Sequence, residues 1–237
     1  MPITFPEALD GIHEKLDVVW PNGRESSCCP NDGRHYTMRG ITRPVSIGQV
    51  EARLLYNLAV LNRVERAFEI GTGFGYSSFW LGAAVQRTNP ASGWVGSLDN
   101  QSEGELGSAG IEFARAGVKH LGLDSTIEYL VGVSPADVSR HLSKPIDLAF
   151  IDGFHRNGQP RADYIGIRDW LSDKSLLVWH DTQAEYDVGD GIAAAMRDGW
   201  SPIVFPTSCR LCVCYRQLDQ WAKALQAFEN ANVLEIV

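Results

Sequence analysis

The residues best suited to bind a ligand form a glycine-rich turn, GTGFG, at positions 71–75. Its three glycines alternate with other residues, so the backbone can curl tightly and bring main-chain NH groups against a ligand. The apolar segment 65–70 precedes the turn, and residues with helical periodicity follow it. Between a strand and a helix, such a turn binds ligands beyond the carboxyl end of the strand.

This turn departs from the dinucleotide-binding pattern GxGxxG. Tyr76 stands where that pattern has its third glycine, and Glu69 precedes the turn. A diphosphate prefers a bare helix N-terminus, whereas S-adenosylmethionine carries a sulfonium, an ammonium and a carboxylate but no phosphate. The acidic Glu69 fits such a partly cationic ligand better than it fits a phosphate, so the turn predicts an S-adenosylmethionine site. The residues expected to form it are Glu69, Gly71, Thr72, Gly73, Gly75, Tyr76 and Ser77.

An acidic residue follows the next strand candidate, 94–98. Asp99, with Asn100 beside it, stands at the strand end, where a carboxylate can accept hydrogen bonds from both hydroxyls of a ribose. A single acidic residue at a strand end is common. Here both its spacing from the turn and its expected place in the fold agree with a role in ribose binding. We therefore predict that Asp99 binds the ribose and that Asn100 lies in the cofactor site.

The elements that must position these residues alternate along the chain. Strand candidates are 65–70, 94–98, 126–131, 146–151, 175–179, 202–206 and 210–215. Helices are predicted near 46–62, 76–88, 103–118, 134–142, 159–172 and 188–198. A final amphipathic segment is expected to pack on the domain through Trp221, Leu225 and Phe228. Strands separated by helices favour right-handed crossovers in a parallel sheet, while the short link between the last two strands suits a hairpin. The prediction is a Rossmann-like, doubly wound α/β fold with a mostly parallel seven-stranded sheet and an antiparallel final strand.

Length and charge narrow the class of protein. A chain of 237 residues suits one generous domain. Its 21 Lys and Arg against 29 Asp and Glu give a net charge of -8, and without a basic stripe a nucleic-acid partner is not expected. No apolar run of about 18 residues is present, and the N-terminus lacks a signal-peptide pattern. We therefore expect a cytoplasmic protein that binds no membrane.

The N-terminal part of the chain differs from the rest. Residues 1–45 are expected to hold an N-terminal helix and a lid segment, and residues 46–237 the cofactor-binding domain. Positions 21–45 are polar, rich in glycine and proline, and without periodicity. A loop of this length is usually functional or disordered, so a lid over the site and a mobile arm both remain open.

Five cysteines, an odd number, favour reduced thiols. Cys209, Cys212 and Cys214 lie in the apolar run CRLCVCY, which predicts a strand. No second CxxC at zinc-finger spacing completes a tetrahedral ligand set. We therefore interpret these three residues as structural thiols rather than metal ligands.

Five segments, in order, resemble the class I S-adenosylmethionine-dependent methyltransferases, and within them the small-molecule O-methyltransferases related to the catechol and caffeoyl-CoA enzymes. The segments are FEIGTGFGYSSFWLGAA, SLD, ARAGVKH, AFIDGFH and LLVWHDT, between about Ser46 and Tyr215. The resemblance implies a small-molecule substrate and a homodimer. It also assigns to the adenine pocket Gly132, Val133 and Ser134.

In that family an Asp at the end of the fourth strand binds a divalent metal, and a catalytic base, often Lys, follows three residues later. The resemblance places Asp152 on the ligand, beside the cofactor, and His155 on the base. It places the other two metal ligands, often Asp-Asn, on His180 and Asp181. His155 thus replaces Lys, and His180 replaces a carboxylate. Oxygen and imidazole ligands suit Mg, Mn, Fe or Zn.

The reaction implied is methyl transfer to a hydroxyl of a small molecule. A hydroxyl is a weak nucleophile, a divalent ion lowers its pKa, and an imidazole such as His155 can accept its proton near neutral pH. A metal-free acid/base site built from the same residues is the alternative for the proton. Alternative functions are a metal-independent N-methyltransferase acting on a small amine and a nonenzymatic nucleoside-binding protein of the same fold.

Overall fold

The structure is a computed structural model that describes residues 17–19, 35–37, 47–100 and 109–231. In the N-terminal part, β1 (Asp17–Val19) and β2 (His35–Thr37) pair antiparallel as a two-stranded sheet. The second of these strands falls within the segment predicted to be a loop. The predicted N-terminal helix and the rest of the lid segment lie outside the described residues.

Strands and helices alternate in the main domain. The strands are β3 (Arg66–Ile70), β4 (Trp94–Asp99), β5 (Ile127–Val131), β6 (Ile146–Ile151), β7 (Leu171–Trp179), β8 (Ser201–Val204) and β9 (Cys212–Tyr215). The helices are α1 (Gln49–Leu61), α2 (Tyr76–Thr88), α3 (Ala109–Leu121), α4 (Val138–His141), α5 (Gln159–Ile167), α6 (Val188–Arg197) and α7 (Leu218–Ala231).

The seven predicted strands form one sheet in the order β5-β4-β3-β6-β7-β9-β8. The first five in this order are parallel, and β9 pairs antiparallel with both β7 and β8. The predicted fold class is therefore confirmed. The strand order reverses direction between β3 and β6, which opens a crevice at the carboxyl ends of these two strands.

Two helix predictions needed correction. The helix predicted over 134–142 is only the short α4, and the one predicted over 159–172 ends at Ile167 and continues as a 3-10 turn, Arg168–Trp170. That turn is followed at once by β7, because Leu171 already pairs with Ile146 of β6. Tertiary strand pairing overrides the helical periodicity there.

Both faces of the sheet are buried. Along β7, Leu176 and Val178 join the core beneath α1, α2, α3 and α7, while Leu177 and Trp179 join the core beneath α4, α5 and α6. Alternate residues of a strand point to opposite faces, so each strand contributes to both cores. This double burial holds the carboxyl ends of the central strands rigidly in place.

The face that α7 buries differs from the expected one. The sequence pattern placed Trp221, Leu225 and Phe228 against the domain, yet Trp221 is 43% exposed and the other two are only partly buried. The fully buried positions are instead Gln220, Ala224, Ala227 and Ala231. Small residues let α7 approach α1 closely, and Asn57 of α1 donates a hydrogen bond to the Ala227 carbonyl at 3.0 Å.

Cys212 and Cys214 are buried on β9, and the three described cysteines are free thiols. Their burial agrees with the structural interpretation of the CRLCVCY run. Within the described residues, no helix has the length and apolar character needed to span a membrane.

Candidate active site

A cavity of about 500 Å³ opens at the carboxyl ends of β3, β4, β5 and β6. Most of the residues predicted to bind the cofactor line it. They are Gly71, Thr72, Gly73, Tyr76, Ser77, Asp99, Asn100, Gly132, Val133, Ser134 and Asp152. The topology thus brings together the ends of four separate strands, as the crevice in the strand order requires.

The glycine turn owes its shape to close backbone packing. Gly71 has φ +97°, and a Cβ there would lie 2.2 Å from the Asp152 carbonyl oxygen. Gly75, at the N-terminus of α2, has φ +83°, and a Cβ would lie 2.6 Å from the Ala114 Cβ. Both positions therefore need glycine. Gly71 borders the cavity, whereas Gly75 lies outside its lining and lets α3 pack against the turn.

Glu69 lies behind the turn rather than in the cavity wall. Its side chain is fully buried and accepts hydrogen bonds from the Ser77 and Ser97 hydroxyls. Burial outweighs these two bonds and raises the pKa of Glu69 to about 8, so the carboxyl is protonated at neutral pH. A charged Glu69 that faces the ligand is expected from the sequence, but here Glu69 instead joins Ser77 of α2 to Ser97 of β4.

Asp99 carries the carboxylate that faces the cavity from β4. Its Oδ2 accepts a hydrogen bond from the Thr72 backbone N–H at 3.0 Å, and its carbonyl oxygen accepts one from Gly132 N–H at 3.0 Å. These bonds couple the glycine turn, the end of β4 and the end of β5. Asp99 is thereby held at the position predicted for the ribose ligand.

Four side chains converge beside this cavity, and we call them the carboxylate–histidine cluster: Asp152, His155, His180 and Asp181. The His155 Nε2 lies 2.9 Å from Asp181 Oδ2 and 3.4 Å from Asp152 Oδ1. The His180 Nδ1 lies 3.0 Å from Asp152 Oδ1 and 3.3 Å from Asp181 Oδ2. Asp152 belongs to both the cluster and the cavity wall.

Local structure brings these groups together. Asp152 directly follows β6 and His180 directly follows β7, and these strands are parallel neighbours. Asp181 follows with φ +53°, a left-handed conformation that is strained for a non-glycine residue. The His155 carbonyl accepts a hydrogen bond from the Asp187 backbone N–H at 2.8 Å, which ties the loop after β6 to the loop after β7.

Opposite charges dominate the electrostatics of the cluster. Burial lowers the pKa of His155, but hydrogen bonds to Asp152 and Asp181 outweigh it and raise this pKa to about 9. Burial also works against the protonated form of His180, and the charges and hydrogen bonds of the same carboxylates raise its pKa well above the usual value. The two histidines bind protons that a metal cation would have to displace.

The donor atoms of the cluster suit a divalent metal. Asp152, His155 and Asp181 offer ligand atoms that all lie within 4.8 Å of one another. His180 Nδ1 contacts the same two carboxylates. Carboxylate oxygen with imidazole nitrogen is a donor set used for several transition metals. The predicted base His155 thus forms a possible ligand group with two of the three predicted ligands, Asp152 and Asp181, and His180 contacts both of these carboxylates.

Sequence reasoning missed two contributors to these sites. Glu51 of α1 is fully buried, and its Oε2 lies 3.2 Å from His180 Nε2. Asp163 of α5 is also buried and lines the cavity, where its Oδ1 accepts a hydrogen bond from Gln159 at 2.7 Å. Glu51 is the third residue of its helix and accepts a bond from Gly48 N–H, so its local signal is that of a helix cap.

Comparison with known proteins finds similarity to a methyltransferase domain. A family described as "Methyltransferase domain" matches residues 68–182. No curated protein is similar enough in sequence to count as a relative.

Three solved structures share the fold. TomG from Streptomyces achromogenes, an O-methyltransferase involved in tomaymycin synthesis and solved with S-adenosylmethionine, is 18% identical, with 73% of this chain and 82% of that chain covered and a TM-score of 0.58. An O-methyltransferase from Bacillus cereus with S-adenosylhomocysteine is 16% identical (73% and 83% covered, TM-score 0.60). A methyltransferase from Geobacter sulfurreducens is 23% identical (76% and 86% covered, TM-score 0.60).

Proposed function

We propose that the chain is a class I S-adenosylmethionine-dependent methyltransferase and that it methylates a hydroxyl of a small molecule with the help of a divalent metal. The observation that carries the proposal is the carboxylate–histidine cluster, which shares Asp152 with the cavity wall. Two similar folds solved with S-adenosylmethionine or S-adenosylhomocysteine are those of O-methyltransferases.

The cavity is the proposed site of the methyl donor. Backbone groups of Gly71, Thr72 and Gly73 would face the methionine part of the cofactor, since glycine leaves them accessible. Asp99 would accept the ribose hydroxyls, and Gly132, Val133 and Ser134 would border the adenine. Glu69 would act indirectly, because it holds Ser77 and the start of α2 in place.

The carboxylate–histidine cluster is the proposed site of the metal and of proton removal. Asp152, His180 and Asp181 would hold the ion, with His155 beside them. When bound, a divalent ion supplies a positive charge that lowers the pKa of a coordinated hydroxyl. Once the cation had displaced the proton from His155, its Nε2 would accept the hydroxyl proton, and the cluster would orient the oxygen toward the cavity. Holding donor and acceptor in line is expected to contribute most of the rate.

Charge balance within the cluster favours a second candidate. Two protonated histidines already neutralise two aspartates without a metal, as the raised pKa values of His155 and His180 indicate. Such a site would suit a metal-independent N-methyltransferase, in which Asp152 and Asp181 orient an amine. The two candidates differ in acceptor atom and in metal requirement.

One experiment separates them. The protein is incubated with methyl-labelled S-adenosylmethionine and a panel of phenols, aliphatic alcohols and amines, once with Mg²⁺ or Mn²⁺ and once with a strong chelator. The proposal expects label on oxygen that disappears with the chelator. Label on nitrogen that persists with the chelator would replace the proposal with the second candidate.

A further inference from the structure

A buried carboxylate on α1 contacts the carboxylate–histidine cluster from behind. Glu51 is fully buried, and its Oε2 lies 3.2 Å from His180 Nε2. The two residues are 129 positions apart in the chain. An isolated buried charge is costly, so a carboxylate at this position must be held by several donors.

Glu51 has such donors on both oxygens. Oε2 accepts a hydrogen bond from Gly48 N–H at 2.7 Å, and Oε1 accepts one from Cys209 N–H at 2.9 Å. Both are backbone donors, one at the start of α1 and one in the loop before β9. Together with the contact to His180, these two backbone donors fix the orientation of the carboxylate.

The position of Glu51 determines the orientation of the His180 ring and which ring nitrogen donates to Glu51. The Nε2 atom faces Glu51, while Nδ1 faces Asp152 at 3.0 Å and Asp181 at 3.3 Å. A carboxylate can only accept, so Nε2 must carry the hydrogen that it donates to Glu51. In the protonated ring, Nδ1 likewise donates to the two aspartates, and a cation that displaced this proton would leave a lone pair on Nδ1, directed at them. A carboxylate behind a histidine ligand fixes ring tautomer and orientation in this way in many metal sites.

We propose that Glu51 is a positioning residue that holds His180 with Nδ1 presented to Asp152 and Asp181. This inference rests on the proposed function, because it assigns Nδ1 to the metal. A rival arrangement exists: Glu51, His180 and Cys209 also offer ligand atoms within 4.8 Å of one another. Both Glu51 oxygens, however, already accept backbone hydrogen bonds, and Cys209 contributes to one of them through its N–H rather than its thiol.

Binding of Mn²⁺ to the full-length protein, measured by calorimetry, tests the inference. Glu51→Gln keeps the size of the side chain but removes its charge and one acceptor oxygen, and we expect Mn²⁺ affinity to fall by about 10–100-fold. The matched control is Cys209→Ala, which keeps the backbone N–H and should bind Mn²⁺ as the wild type does. S-adenosylhomocysteine binding should be unchanged in both variants, which also shows that they are folded.

Two calorimetric results would overturn the inference. Equal Mn²⁺ affinity of wild type and Glu51→Gln would remove Glu51 from the metal's surroundings while leaving the proposed function intact. A loss of Mn²⁺ in Cys209→Ala would instead assign the metal to the Glu51, His180 and Cys209 group.

Nitrogen-15 NMR of the His180 ring in the wild type gives a second readout, which needs no variant and no bound metal. The inference requires a proton on Nε2 that is protected from exchange, and an unprotonated or rapidly exchanging Nε2 would refute it. If the wild type binds no Mn²⁺, the metal part of the proposed function fails, and this NMR result alone decides the role of Glu51.

Discussion

The glycine turn and the carboxylate–histidine cluster lie side by side but are built by different means. The turn is one continuous segment shaped by glycine backbone conformations, and its contact partners are mostly backbone atoms. The cluster consists of side chains from the ends of two strands, and Glu51 of α1 supports it from behind. The proposed cofactor site is therefore local in the chain, whereas the adjoining proposed metal site depends on long-range packing.

The largest expected effect comes from Gly71, where the two regions touch. Gly71→Ala places a Cβ 2.2 Å from the Asp152 carbonyl oxygen at φ +97°. Backbone strain and overpacking together should cost about 3–5 kcal/mol of unfolding free energy and abolish both S-adenosylhomocysteine and Mn²⁺ binding. Chemical denaturation and calorimetry measure the two effects.

Gly189→Ala is the matched control for that substitution. Gly189 lies in α6, and a Cβ there meets nothing within 4 Å. This variant should be neutral or more stable by about 0.5–1 kcal/mol, because alanine favours helix. If Gly71→Ala changed the unfolding free energy as little as the control does, the close packing of Gly71 against the Asp152 carbonyl would be refuted.

A substitution at Asp181 is expected to affect the cluster but not the turn. Asp181→Ala removes the carboxylate nearest to His155 Nε2, at 2.9 Å. We expect Mn²⁺ affinity to fall by at least about 100-fold, or about 2.7 kcal/mol, with S-adenosylhomocysteine affinity unchanged. Calorimetric titration with each ligand checks both halves of this prediction, and equal losses for the two ligands would mean that the regions act as one unit.

A substitution at Asp99 is expected to have the opposite effect, on the turn but not on the cluster. Asp99→Ala removes the acceptor of the Thr72 N–H bond and the proposed ribose ligand. Affinity for S-adenosylhomocysteine should fall by about 1.5–3 kcal/mol, while Mn²⁺ affinity stays the same. The same titrations measure it, and unchanged cofactor affinity would remove Asp99 from the site.

Glu69 gives the smallest effect, which depends on pH. Its folded pKa of about 8 lies above the ordinary value of 4.5, so unfolding releases a proton between these values and the unfolding free energy falls as pH rises through that window. Between pH 6 and 7.5 the loss should be about 1–2 kcal/mol in the wild type relative to Glu69→Gln. Urea denaturation at several pH values measures the difference, and parallel curves would show that Glu69 is charged in the folded protein.

The turn and the fold were accessible to prediction because their signals are local. Glycine spacing at 71–75 follows directly from the backbone conformations that the turn needs, and alternating apolar segments mark the strands of a doubly wound sheet. Asp99 could be placed because parallel strands bring their carboxyl ends to one edge, whereas Asp152 and His180 were placed by the resemblance to the O-methyltransferases. For these features, neighbouring residues carry the information.

Only the tertiary structure decided the features that depend on what packs behind a residue. Glu51 has the local signal of a helix cap, yet α1 brings it against His180, 129 positions away. The sequence predicts that Glu69 is a charged contact of the ligand. Complete burial instead raises its pKa to about 8, and its hydrogen bonds join Ser77 to Ser97 inside the domain. Sequence alone determined the turn, the mostly parallel class of the sheet and the residues at the strand ends. Burial and long-range contacts, which arise only when distant segments pack, decided the charge of those residues and their partners.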